Sequence, residues 1–212
     1  VSLQPDGYLL SGEQTSAQVT LRSVTELPLE DDFFVSVQVA SPIVVTSEAR
    51  FRISPEGQIF TLQGLGSDIR PALLEIDGDV QMEGPGVLIN NLPLIFNSQS
   101  TGEITQSELT GQRSERPLIL INDAAPVIGG IGSVSGNLLA GNNRQEVTGV
   151  ELRAAVTMCA GNGSPCPFIA NNTFLNLAIG ILVNDGGDFT GVNNFDDANP
   201  NGDTVPINVE RR

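Results

Sequence analysis

The segment Phe174-Leu-Asn-Leu-Ala-Ile-Gly-Ile-Leu-Val183 sets the first expectation about the fold. Leu175, Leu177, Ile179, Ile181 and Val183 alternate with Asn176, Ala178 and Gly180, the period-two pattern of a strand with one buried face. Upstream, Val150, Leu152, Ala154, Val156 and Met158 fall on one side of a strand, as do Val35, Val37 and Val39. Further strand-like runs lie at 17–24, 50–54, 58–62, 72–76, 86–96, 118–121 and 204–209.

Turn residues punctuate these runs. The chain holds 23 Gly and 13 Pro among 212 residues, above the usual combined share of about 12%. No fifteen-residue window joins good helix formers to a 3.6-residue period. Residues 101–116 read equally as a helix or as a long polar connection. Short strands between tight turns predict an all-β chain with little helix, an antiparallel β-sandwich or jelly-roll-like domain with long Gly/Asn-rich loops. No repeat at a fixed period of 20–50 residues stands out, which argues against a solenoid or propeller.

Asparagine changes along the chain: none precedes Asn90, and seventeen occur from there onward. Residues 97–116 are therefore a candidate boundary, yet no Pro/Ser/Gly linker separates the halves. One β-rich domain over 1–212 is expected.

Composition excludes much chemistry. The chain has no His and no Lys, so its 10 positive side chains are all Arg, set against 25 Asp and Glu for a net charge of −15. Imidazole acid–base catalysis, Ser-His and Cys-His couples, Schiff bases and P-loop lysines are ruled out. Scattered arginines on an acidic chain disfavour nucleic acid and anionic lipid surfaces as partners. The longest apolar run, Leu177 to Val183, falls far short of the roughly 20 residues of a membrane span, so no membrane insertion is expected. A start at Val1 without a basic or apolar leader suggests a processed mature chain.

Cys159 and Cys166 lie in Met158-Cys-Ala-Gly-Asn-Gly-Ser-Pro-Cys-Pro167. The spacing suits neither CxxC nor a zinc knuckle, and the Gly and Pro between them allow a return tight enough for a local disulfide. Two free thiols are the alternative. Asn162 and Asn171 each open a glycosylation-type sequon. An extracellular or cell-surface location follows from the disulfide reading.

The most suggestive ligand set is Asp197, Asn199, Asn201 and Asp203, alternating oxygens before and after Gly202, like the first half of a calcium loop. Asn208 stands where such a loop needs a bidentate Glu, and Pro200 interrupts it, so an EF-hand is not expected. Ca²⁺ remains the one candidate cofactor, against a simple loop of Asx turns. Glu30, Asp31, Asp32, Glu75, Asp77, Asp79, Asp196 and Asp197 are the only carboxylate sets for a glycosidase pair, and a solvated strand edge explains Glu75, Asp77 and Asp79 without chemistry. The glycines at 129–136 fail the dinucleotide fingerprint because Ser135 replaces the third Gly.

Non-catalytic function is thus expected: a structural subunit of an extracellular filament, sheath or surface layer, polymerising with itself through β-strand contacts. Terminal strand exchange would use Val1 and Leu3 or Val205, Ile207 and Val209. A monomeric calcium-stabilised adhesion or binding module is the alternative, followed by a carboxylate-dependent glycoside hydrolase.

Overall fold

A computed structural model describes residues 2–4, 7–10, 34–39, 42–55, 59–65, 72–111, 116–130, 136–141, 147–153, 166–184, 189–196 and 207–212. Strands β1 (Ser2–Gln4) and β2 (Gly7–Leu10) form the one antiparallel pair among these residues. The remaining pairings are parallel, beginning with β2 on β3 (Phe34–Val39). The chain then winds in successive turns, or rungs, that lie on one another.

The first rung holds β4 (Ile43–Val45), β5 (Arg50–Ile53) and β6 (Ile59–Gly64). In the second, β7 (Leu74–Ile76) precedes β8 (Asp79–Asn90), which continues across two faces. The third repeats this with β9 (Leu94–Phe96) and β10 (Thr101–Gly111). The fourth has β11 (Ile119–Asn122), β12 (Val127–Gly129) and β13 (Leu138–Gly141), and the fifth β14 (Thr148–Arg153), β15 (Phe168–Ala170) and β16 (Thr173–Leu175). The sixth contains β17 (Ile179–Val183), an isolated bridge at Thr190, and β18 (Asn194–Asp196); β19 (Ile207–Arg211) opens a seventh.

Three parallel faces result. The first stacks β4, β7, β9, β11, β14, β17 and β19 into a seven-stranded sheet. The second joins β5, the front halves of β8 and β10, β12 and β15. The third joins β3, β6, the back halves of β8 and β10, β13, β16 and β18. This is a parallel β-solenoid, in which each rung touches chiefly its neighbours.

The antiparallel sandwich and jelly roll are therefore overturned. Alternation shows that a strand has one buried face but carries no sign for the direction of its neighbour. Parallel sheets usually have both faces covered and read as continuous apolar runs, whereas a solenoid leaves its outer face wet and keeps the alternation. The expected absence of a repeat also fails, because unequal numbers of residues between successive strands hide it. Leu94 follows its partner Leu74 by 20 residues and Ile119 follows Leu94 by 25, but the steps to Val150 and on to Ile181 are 31 each.

Residues 101–111, read as helix or loop, are strand β10. The apparent single strand at 174–183 is two strands on two faces, broken at Asn176, whose φ of 53° turns the chain. One hydrophobic core runs from Val37 to Val183 through the interior, with Leu94, Phe96, Ile104, Ile119 and Ile181 fully buried. Ile104, Leu109 and Leu118 belong to it.

Near the last rungs the core uses aromatic rings over glycines. Phe174 and Phe195 occupy one register column and stack with centroids 5.0 Å apart. A Cβ at Gly149 would stand 2.9 Å from the Phe174 ring, and one at Gly180 would stand 2.5 Å from the Phe195 ring. The glycine inside the alternating segment thus leaves the space that a ring on another face fills.

Candidate functional site: an asparagine ladder and the solenoid end

A row of polar residues lies inside the corner between the second and third faces. Glu108 pairs with Leu138, Leu138 with Thr173, and Thr173 with Asn194, so the preceding residues Ser107, Asn137, Asn172 and Asn193 share one column. The backbone N–H of Ser107 donates to Asn137 Oδ1 at 2.9 Å. Asn137 Nδ2 donates to Ile104 O at 2.7 Å and to Asn172 Oδ1 at 2.9 Å. Asn172 Nδ2 donates to Ile128 O and to Asn193 Oδ1, both at 2.9 Å. Asn193 Nδ2 donates to Ile169 O at 2.8 Å.

The chemistry explains the residue type. Where the chain turns, the carbonyls of Ile104, Ile128 and Ile169 need donors inside the protein, and a buried carbonyl without one costs about 1–3 kcal/mol. An asparagine amide offers two donors and an acceptor. It closes the carbonyl of one rung while reaching the amide of the next. Asn137 and Asn172 are 2% and 0% exposed, so water cannot replace these bonds. In the same column of earlier rungs stand Val87 and Phe60, both buried.

The outer corner between the first and second faces carries a separate polar row. Asn97 Nδ2 donates to Asp77 Oδ1 at 2.8 Å, and Ser98 Oγ donates to Asp123 Oδ2 at 3.1 Å. Asp79 accepts from Arg50 Nε at 2.7 Å and from Thr101 Oγ1 at 2.9 Å. Asp77 and Asp79 therefore hold neighbouring rungs. Farther along the first face, Glu151 Oε1 accepts from both Arg153 Nε at 2.6 Å and Asn184 Nδ2 at 2.9 Å.

The last rung ends differently. Val209 is in register with the fully buried Ile181 but is itself 39% exposed. Beside it, Arg212 Nε donates to Glu210 Oε1 at 2.6 Å, and this bond, followed by that carboxylate's charge, raises the pKa of the guanidinium.

The sequence-expected sites are dispersed. Asp197, Asn199, Asn201, Asp203, Asn162, Cys159, Val1 and Val205 lie outside the described residues. Cys166 is disulfide-bonded. Asn171 is exposed with φ of 61°, and its Nδ2, the atom a glycan would take, donates to Gly130 O. Leu3 pairs with Tyr8 in β1 and β2, while Ile207 and Val209 pair with β17. Among the described residues no three His, Cys, Asp or Glu side chains gather as metal ligands. No helix there is long and apolar enough to cross a membrane. The ladder residues were missed from sequence; their signal was an Asn just before a third-face strand, as in Asn137-Leu-Leu, Asn172-Thr-Phe and Asn193-Asn-Phe.

Comparison with known proteins gives no match to a family model, to a curated protein or to a solved structure.

Proposed function

We propose that the chain is a non-catalytic structural element of an extracellular assembly, and that it associates with copies of itself through β-strand edges. The observation that carries this reading is the ladder: the buried polar side chains bind neighbouring rungs and stiffen the stack. The carboxylates of Asp77, Asp79 and Glu151 are likewise engaged by groups of the same chain. A solenoid built this way is a rod with nearest-neighbour stability. The bonded state of Cys166 supports an oxidising compartment.

The net charge of −15 opposes association at low salt, so added salt strengthens it. The test is negative-stain microscopy and light scattering of the purified chain across a salt series, with Ca²⁺ or chelator. Assemblies that grow with ionic strength are expected. Dispersed monomers under every condition would overturn this reading and favour a monomeric surface binding module.

A further inference from the structure

Stacking leaves one sequence motif unexplained. Asn171-Asn-Thr173 is an N-glycosylation sequon, and its three residues point to different places. Asn172 is 0% exposed and belongs to the interior ladder. Asn171 is exposed at the outer corner between the second and third faces, where its φ of 61° turns the chain. Thr173 lies between the buried Asn172 and Phe174 and therefore faces outward. Among the described residues its hydroxyl takes part in no hydrogen bond.

Resting on the extracellular part of the function proposed above, we infer that Asn171 carries an N-linked oligosaccharide. An asparagine amide has two N–H groups. One N–H of Asn171 donates to Gly130 O, and the other is unengaged among the described residues. Transfer forms a bond from Nδ2 to the anomeric carbon of an oligosaccharide carried on a lipid diphosphate. The bond from that carbon to the diphosphate oxygen breaks, the diphosphate leaves with the electron pair, and a base of the transferase takes one amide proton. The N–H that remains keeps the bond to Gly130 O, so the glycan and the folded corner are compatible.

The corner has room for it. Gln106, Gly136, Asn171 and Val192 share a column, two residues before Glu108, Leu138, Thr173 and Asn194. On one side of Asn171, Gly136 presents no side chain; a Cβ there would stand 1.8 Å from Asn171 O. On the other side Val192 is 82% exposed, and its carbonyl accepts the Asn171 backbone N–H at 2.7 Å. Gln106 takes a φ of 50° at the same corner, so the left-handed backbone does not by itself select asparagine at 171. Nearby, Cys166 is disulfide-bonded, which fits passage through an oxidising compartment. Such a glycan is bulky and solubilising, and it keeps copies of the chain from meeting at this corner.

Glycopeptide mass spectrometry of the chain from the cells that make it tests the assignment. The peptide holding Asn171 is expected to carry the sugar, and peptide N-glycosidase should leave a carboxylate at position 171. Thr173→Val, made in the same cells, should lose the glycan while melting like the enzymatically deglycosylated chain. Thr173→Ser should keep it. Sugar found only on the peptide with Asn162 overturns the assignment. A secreted chain with bare Asn171 overturns the glycan and leaves the assembly reading standing, whereas a chain retained in the cytosol with Cys166 reduced overturns both.

Discussion

The earlier and later rungs solve one stacking problem with different chemistry. In the column where Phe60 and Val87 stand, the earlier rungs are joined by apolar contact, and Arg50–Asp79 at 2.7 Å and Arg52–Glu83 at 3.1 Å link them on the outside. From Ser107 onward that column is polar and its hydrogen bonds run through the interior. Apolar contact is non-directional and tolerates a change of shape. A buried amide row is directional, so it penalises a slipped register and any residue that leaves a donor unpaired.

The strongest way to break the earlier region is to empty its core. Phe96→Ala, at a fully buried position, should cost about 4 kcal/mol. Urea denaturation checks this, and the loss should be close to what apolar volume alone gives. Asn172→Leu tests the later region with a side chain of the same branching and no polar atoms. It strands Ile128 O and the Asn137 amide, and should cost about 3 kcal/mol. The matching Val87→Leu change, by contrast, tests packing alone; a loss equal to that of Asn172→Leu would erase the distinction between the regions.

Gly180→Ala pushes a Cβ toward the Phe195 ring and Asn208 O, and should lower stability by about 2 kcal/mol in thermal melts. A Phe195→Leu background should recover part of that loss if the ring is the obstacle. The smallest effect belongs to the outer bridges. The Arg50 side chain is 65% exposed, so Arg50→Ala should change stability by less than about 1 kcal/mol, and less still at high salt.

Strand content was legible because side chains alternate wherever one face is wet, and much of β3, β5, β6, β11 and β14 lies where the pattern places it. Direction and winding were not. Alternation continues across the corner at Asn176, so two strands on two faces read as one, and unequal spacing between strands along the sequence conceals the rung period. The asparagine shift at residue 90 is visible in the sequence, but there it marks only a candidate boundary near residues 97–116. Its interior meaning needed the register, because only stacking shows that Asn137, Asn172 and Asn193, widely separated in sequence, share a column. The polar face assigned to Glu75, Asp77 and Asp79 was legible in kind, though the rung-to-rung bonds at Asp77 and Asp79 were not.

Hydrogen exchange of asparagine side-chain amides, followed by NMR on the folded chain, tests the ladder most directly. Asn137 and Asn172, buried and doubly donating, should exchange only on opening of the stack, with protection near that of the core backbone, and Asn193 should exchange faster. Exchange of the Asn137 and Asn172 amides at the rate of exposed asparagines, in a protein whose core backbone stays protected, would contradict the ladder and the stacking register from which it follows.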